Sequence, residues 1–236
     1  ASVPICRPTM TRHVQLDPVA HRDLRVDTTR SASSGDGVMV APTFPDEFRE
    51  LHAHYPVLFH VDGNRVQPLA LLGLQHGQNL FLDADGWQAH YVPLAIERGP
   101  FLIGGNAGER PMVHVDLDHP RLHSATGEAL FLPHGGFTPY FQRVQSVLQR
   151  LHDGIAQTPA FVDALQSHAL LEPFTLDITL DDGRTHRLSG FHIIDETRLR
   201  TLAPEAIGAL HAAGHLEAIY MAIASASRFR DLIERM

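Results

Sequence analysis

Apolar and polar positions alternate most legibly in the last third of the chain. From His186 to Ile194 the pattern is that of a strand, with Phe191 and Ile193 on one face and His192 and Ile194 on the other. Asp195 stops the strand, and its carboxylate is placed to accept N–H groups at the start of a short helix. A second helix starts at Pro204, whose missing N–H would have had no partner there. Ala203 before it has no side chain to cap with. Ile207 and Leu210 supply its apolar face, and Gly214 ends it. The final helix groups Leu216, Ile219, Tyr220 and Ile223 on one side. Ser225 to Ser227 interrupts it, and Phe229, Leu232 and Ile233 resume at a shifted phase.

Upstream, His21 to Val26 reads as a short ordered piece and Ser31 to Gly37 as a flexible loop. Asp46 to His54 predicts one short helix carrying Phe48 and Leu51. Residues 55–104 predict antiparallel hairpins, because their connections are too short for parallel crossovers. Tyr55 to Val61 turns at Asp62-Gly63-Asn64 into Val66 to Leu74. Asn79 to Asp83 turns at Asp85-Gly86 into Trp87 to Val92, and Arg98 to Ile103 and Met112 to Leu117 add two further strands. From Thr138 the period changes to helical. One helix carries Phe141, Val144, Leu148 and Leu151 and ends at Gly154. A second starts at Thr158-Pro159 and carries Phe161 and Leu165. Phe174 to Leu180 and His186 to Ile194 then form a hairpin across Asp181-Asp182-Gly183. Strands, two helices, a hairpin and three helices argue for an α+β fold: an antiparallel sheet of hairpins with helices packed on it and a helical C-terminal segment.

The 236 residues, 44% hydrophobic, are enough to bury a sizeable core. Residues 1–12 are expected to be a disordered or appended tail, with Met10 as a natural start. Residues 13–236 are expected to form a single domain, into whose sheet the late hairpin inserts; a subdomain boundary near 137 is the alternative. Residues 1–9 have no apolar run of the signal-peptide kind and no stretch is long enough to span a membrane, so a cytoplasmic location is expected without membrane insertion. The net charge of −8 argues against a nucleic-acid partner. All 19 basic residues are arginine, which excludes Schiff-base chemistry and a phosphate-loop lysine. The single cysteine, Cys6, allows no intrachain disulfide. The 17 histidines, scattered over the chain, would turn the net charge positive if all were protonated.

Several short pieces recur in a recognisable order: His21 to Arg25, Tyr55 to Phe59, Leu71 to Leu74, Asn79 to Asp83, and Trp87 with Tyr91-Val92-Pro93. Arg98 with Pro100-Phe101 and Gly127 to Phe131 follow, and then Gly190-Phe191, Ile194-Asp195-Glu196 and Gly214-His215-Leu216 with Ile219-Tyr220. In this order and spacing they resemble the SapC family of small bacterial proteins. The resemblance implies no assigned reaction and supplies no catalytic residue. It implies genes beside TonB-dependent outer-membrane receptors, flavin-dependent tryptophan halogenase-like proteins and cupin-like proteins, and a surface-layer label inherited from the founding name. The expectation is an accessory or binding protein, not an enzyme and without a cofactor. It would be linked to outer-membrane (TonB-dependent) uptake or surface-layer systems, with a protein partner or a small molecule as ligand and room for homo-oligomers.

Candidate chemistry is sparse. His114-Val115-Asp116 places an imidazole and a carboxylate on one face of a strand, as two ligands of a non-heme Fe(II) oxygenase site require. His192, His168 or His186 would be the third ligand, with Arg198 or Arg200 clamping an oxoacid. The simpler reading turns Val113, Val115 and Leu117 to the core and His114 and Asp116 to water. Asp116, Asp118, His119 and His123 form an acidic, histidine-bearing loop. Arg98 needs a carboxylate, for which Asp195 and Glu196 are the expected partners, or it meets an anionic ligand. Trp87 and Tyr91 would wall a pocket or fill an apolar layer. Arg98, Trp87, Tyr91, Asp195 and Glu196 are therefore the expected ligand-binding set, and no metal is favoured. Gly104 to Gly108 fits no dinucleotide fingerprint, and His134-Gly135-Gly136 lacks the nucleophile elbow a hydrolase would need.

Overall fold

The computed structural model describes residues 12–104, 112–122, 126–179 and 185–236. Cys6, His123, the glycine-rich segment beyond Gly104, the Asp181-Asp182-Gly183 turn and the His186 side chain lie outside them.

In chain order the strands are β1 (His13–Gln15), β2 (Arg25–Val26), β3 (Val40–Pro42), β4 (Val57–Asp62), β5 (Arg65–Leu71) and β6 (Leu82–Asp83). They continue as β7 (Gly86–Trp87), β8 (Phe101–Gly104), β9 (Met112–Asp116), β10 (Glu128–Ala129), β11 (Leu171–Thr179) and β12 (Thr185–Ile194). The α-helices are α1 (Phe48–Leu51), α2 (Leu94–Glu97), α3 (Pro139–Ser167), α4 (Glu196–Arg200), α5 (Pro204–Ala212), α6 (His215–Ser225) and α7 (Arg228–Glu234). The fold is α+β, and its sheets are antiparallel.

Five strands form the main sheet in the order β11-β12-β4-β5-β3, so the late hairpin does rejoin the first one, through His192 opposite Phe59. Its core gathers Phe48, Leu51, Phe59, Phe161, Leu165, Phe191 and Ile219, among others. Val57, Leu58 and Phe59 are consecutive and all buried, so both faces of the sheet are covered there. A smaller sheet, β1-β9-β8, has its own apolar cluster of Val26, Phe101, Val115, Leu130, Phe141, Val144 and Leu148.

Several local expectations hold. The β4–β5 turn pairs Asp62 with Arg65, and Asp195 caps α4 by accepting from Arg198 N at 2.8 Å. Gly214 takes a left-handed φ of 76° between α5 and α6, and Ala203 caps nothing. Others need correction. The two helices expected on either side of Gly154 and Pro159 are one, α3, of 29 residues. Gly154 is a contact point and not a terminus: a Cβ there would lie 2.0 Å from Phe44 Cδ2. Thr158 Oγ1 donates back to Gly154 O at 2.8 Å just before the proline, a bond that favours a bend there and not a terminus. Asn79 to Asp83 and Trp87 to Val92 supply only the two-residue strands β6 and β7, and the run 94–97 is helical. On α6 the buried face is Ala218, Ile219, Ala222 and Ser225, whereas Tyr220 is 52% exposed. Small residues let that helix approach the sheet closely enough for Ser225 Oγ to accept from Val57 N at 2.8 Å. In β12, Phe191 and Ile194 are buried and the residues between them are half-buried. The ladder slips opposite Phe174 and Leu176, where two β12 residues face one, so simple alternation fails. No single helix among the described residues is long and apolar enough to cross a membrane. The bent pair 204–212 and 215–234 passes on length and composition alone, and it packs Leu210, Ile219 and Leu232 into the core.

Candidate functional site

The region expected to be a flexible loop, 31–37, is ordered around a buried charge. Ser31 Oγ caps a single 3₁₀ turn by accepting from Ser34 N. Asp36 is 3% exposed, and one carboxylate oxygen accepts from Ser31 N at 3.1 Å. Arg121 Nη2 meets the same oxygen at 2.5 Å, from 85 residues further along the chain. The other Arg121 nitrogen, Nη1, donates to Asp27 O and Thr29 O, each at 2.8 Å. Arg30 joins this network, with Nη1 3.5 Å from Asp36 and Nη2 bonded to Glu97. Charge-assisted hydrogen bonds of this kind compensate the desolvation of the buried groups.

The network forms the floor of a cleft of about 320 Å³, lined by Arg30, Arg121, Glu97, Glu128, Tyr140 and Arg143. The first turns of α3 form one wall, where Thr138 Oγ1 caps the helix and Pro139 opens it. Tyr140 projects from that turn, and burial pushes its phenol up to about 12. Arg143 is exposed one turn on, with no ion pair among the described residues. The Asp27 carboxyl is held below the usual range, first by the Thr29 N–H and then by the Thr29 hydroxyl.

Two of the residues singled out from sequence sit behind this network. Arg98 donates through Nη1 to Phe101 O at 2.7 Å. Burial disfavours its charged form, and the nearby Asp116 carboxylate opposes that effect. Asp116 Oδ1 also accepts from Asp118 N at 3.1 Å. His119 Nδ1 accepts from Arg121 N at 3.2 Å; burial, and after it the Arg121 charge, lowers its proton affinity. Arg98 is therefore compensated by the Phe101 carbonyl, with the Asp116 charge nearby, and not by Asp195 or Glu196, which make other contacts. Asp195 caps α4, and Glu196 pairs with Arg200 at 2.7 Å.

Trp87 and Tyr91 belong to a different network. Trp87 Nε1 donates to Tyr55 Oη at 2.9 Å, and Tyr55 Oη donates to Tyr91 O. Tyr91 Oη donates at 3.0 Å to Glu47, a carboxylate with no exposed surface. Leu94 N and Thr43 Oγ1, each at 2.6 Å, complete the set around Glu47. Burial raises the Glu47 pKa, and these three donors oppose the rise. Burial also raises both tyrosine hydroxyls well above their ordinary range.

Among the described residues the Fe(II) constellation is not assembled. His114 and Asp116 lie on β9 of the small sheet, while His192 lies on β12 of the large one. His114 Nδ1 lies 3.2 Å from Met112 O. His192 has a buried Nδ1 without a hydrogen-bond partner among the described residues; burial and then His60 lower its pKa. Among the described residues no group of three His, Cys, Asp or Glu side chains is placed to hold a metal ion. The His168 carbonyl accepts from Arg198 Nε at 3.1 Å. Sequence reasoning missed Arg30, Asp36, Glu47, Arg121, Tyr140 and Arg143. Only Asp36 had a local signal, an acid in a serine- and glycine-rich loop.

Residues 16–232 match the family model SapC. Comparison with curated proteins and with solved structures gave no match.

Proposed function

The chain belongs to the SapC family, and from that premise we propose that it is a non-catalytic binding protein acting as a cytoplasmic accessory to an outer-membrane uptake or surface-layer system. The cleft over the Asp36–Arg121 pair is its recognition site, and the ligand is an anionic group carried by a small molecule or by a protein partner. The observation that carries this reading is the contrast among the cleft arginines. Arg121 is engaged by a carboxylate and two carbonyls and Arg30 by two carboxylates, whereas Arg143 stands exposed at the rim. Two guanidinium groups are thus spent on holding the floor rigid, and a third is left to meet an incoming anion. A preorganised site of this sort loses little conformational entropy on binding. The residues that line it offer cations, carboxylates and a neutral phenol, a mixture suited to a polar ligand more than to bond-making chemistry.

Calorimetric titration of the full chain with glutarate and with inorganic phosphate tests this. Saturable binding of at least one of them is expected, weakened about tenfold in Arg143→Gln, as loss of one charge-assisted hydrogen bond predicts. Binding that ignores the substitution would move the site elsewhere, and no saturable heat with either ion would sink the reading.

A further inference from the structure

A second cleft, of about 510 Å³, lies against the C-terminal helix, and His54, Phe81, Trp87, His90, Arg228 and Arg235 line it. It shares no residue with the cleft over Asp36. We propose that it binds a planar aromatic anion, the ring lying against Trp87 and the Arg235 guanidinium that covers Phe81, and the anionic group against Arg228 and Arg235.

The aromatic half of the argument rests on how that wall is fixed. Phe81 is 2% exposed and packs edge-on against Tyr55, with ring centroids 4.6 Å apart. The polar end of Trp87 is tied inward by its 2.9 Å bond to Tyr55 Oη, so the rest of the indole is held in place at the cleft. The guanidinium carbon of Arg235 lies 4.6 Å from the centre of the Phe81 ring. A guanidinium already stacked on one ring is a ready platform for a second planar group. Ala53 and Ala89 keep the remaining wall low.

The anionic half rests on charge. Arg228 and Arg235 face a single carboxylate, Asp231, which Arg228 holds at 2.7 Å. Arg235 has no carboxylate partner among the described residues; its remaining polar contact is Gln88 O at 3.4 Å. The cleft therefore carries an excess of positive charge over an aromatic floor. The ring centre of His54 is 6.1 Å from that of His90, and burial, then His90 and Arg228, lower the proton affinity of His54. The two rings add flat surface beside the arginines. The volume lies in the range of small-molecule sites.

The chain's single tryptophan is the reporter, because it lies in the site. The full-length protein is titrated with naphthoate, with naphthalenemethanol (ring without charge) and with cyclohexanecarboxylate (charge without aromatic ring), following Trp87 emission with calorimetry as a check. Naphthoate is expected to give a saturable change, with both controls at least tenfold weaker. Arg228→Gln and Arg235→Gln should each weaken naphthoate about tenfold, the loss of one charge-assisted contact. Arg143→Gln should leave it unchanged, which separates failure here from failure of the first cleft. Equal binding of either control overturns the proposal, as does the absence of saturation or indifference to both substitutions. If one arginine variant does not fold, the other variant and the wild-type comparison of three ligands still decide.

Discussion

Among the described residues two carboxylates are buried, Asp36 and Glu47, and the chain handles them in opposite ways. Asp36 is met by Arg121 and Arg30 and stays inside an ion-paired cluster. Glu47 has no cation in hydrogen-bond contact among the described residues; it is met by a backbone N–H, a threonine and a tyrosine. The difference follows from their surroundings. Asp36 belongs to the polar loop before β3, and its partners Arg30 and Arg121 line a cleft where charge can be useful. Glu47 sits between α1, α2 and the core of the large sheet, beside Phe44 and Phe48, where a charge is mainly a cost. One node prepares a surface for a ligand, and the other ties loops to the core.

Breaking the ion pair should have the largest effect. Asp36→Ala leaves Arg121, 3% exposed, without its carboxylate, and should lower unfolding stability by about 3–5 kcal/mol in urea titrations. Combining it with Arg121→Met should recover much of that loss, because the uncompensated charge disappears. A double variant no better than Asp36→Ala would mean that the two residues act separately.

The Glu47 node should behave differently. Glu47→Ala strands three donors and should cost about 2–3 kcal/mol, whereas Glu47→Gln keeps most of the acceptor geometry and should stay within about 1 kcal/mol of wild type. The pH dependence carries the sign. Burial raises the folded-state pKa of Glu47 above the ordinary carboxylate value of 4.5. Its contribution is therefore fully present below that value and is lost as pH rises through the raised pKa. Glu47→Gln should gain on wild type as pH rises through that window, read from urea melts at successive pH values. A constant difference would place the Glu47 pKa at its ordinary value. Tyr91→Phe should have the smallest effect, about 1 kcal/mol, and it should be larger at neutral pH than at pH about 4.5, because one donor to the charged form is gone.

What could be read from sequence divides along the same line. The β4–β5 hairpin, the Asp195 cap and the break at Ser225 to Ser227 are decided by neighbours in the chain, and local chemistry sufficed for them. Gly154 and Pro159 carry terminal signals inside helix α3, whereas the contact that explains Gly154 is with Phe44, more than a hundred residues away. The site was less legible. Arg98 and Asp116 stood out in sequence, but Arg98 bonds to the Phe101 carbonyl and not to the acids expected of it. Asp36 and Arg121 come together from separate loops, and nothing near Arg121 in sequence announces a buried guanidinium. Glu47 follows a Pro-Asp pair and looks like any solvated first-turn acid.

The uninterrupted length of α3 has a mechanical consequence. At about 1.5 Å per residue it spans roughly 43 Å. Its first half inserts Phe141, Val144 and Leu148 into the small sheet's cluster, and its second half inserts Phe161, Val162 and Leu165 into the large sheet's core. Gly154 presses against Phe44 between them. The helix therefore works as a girder across two apolar masses. Each mass supports about half of it, and a helix of that half length is marginal in water by itself. Loosening either mass weakens the support of the other, so the walls of both clefts share one source of rigidity.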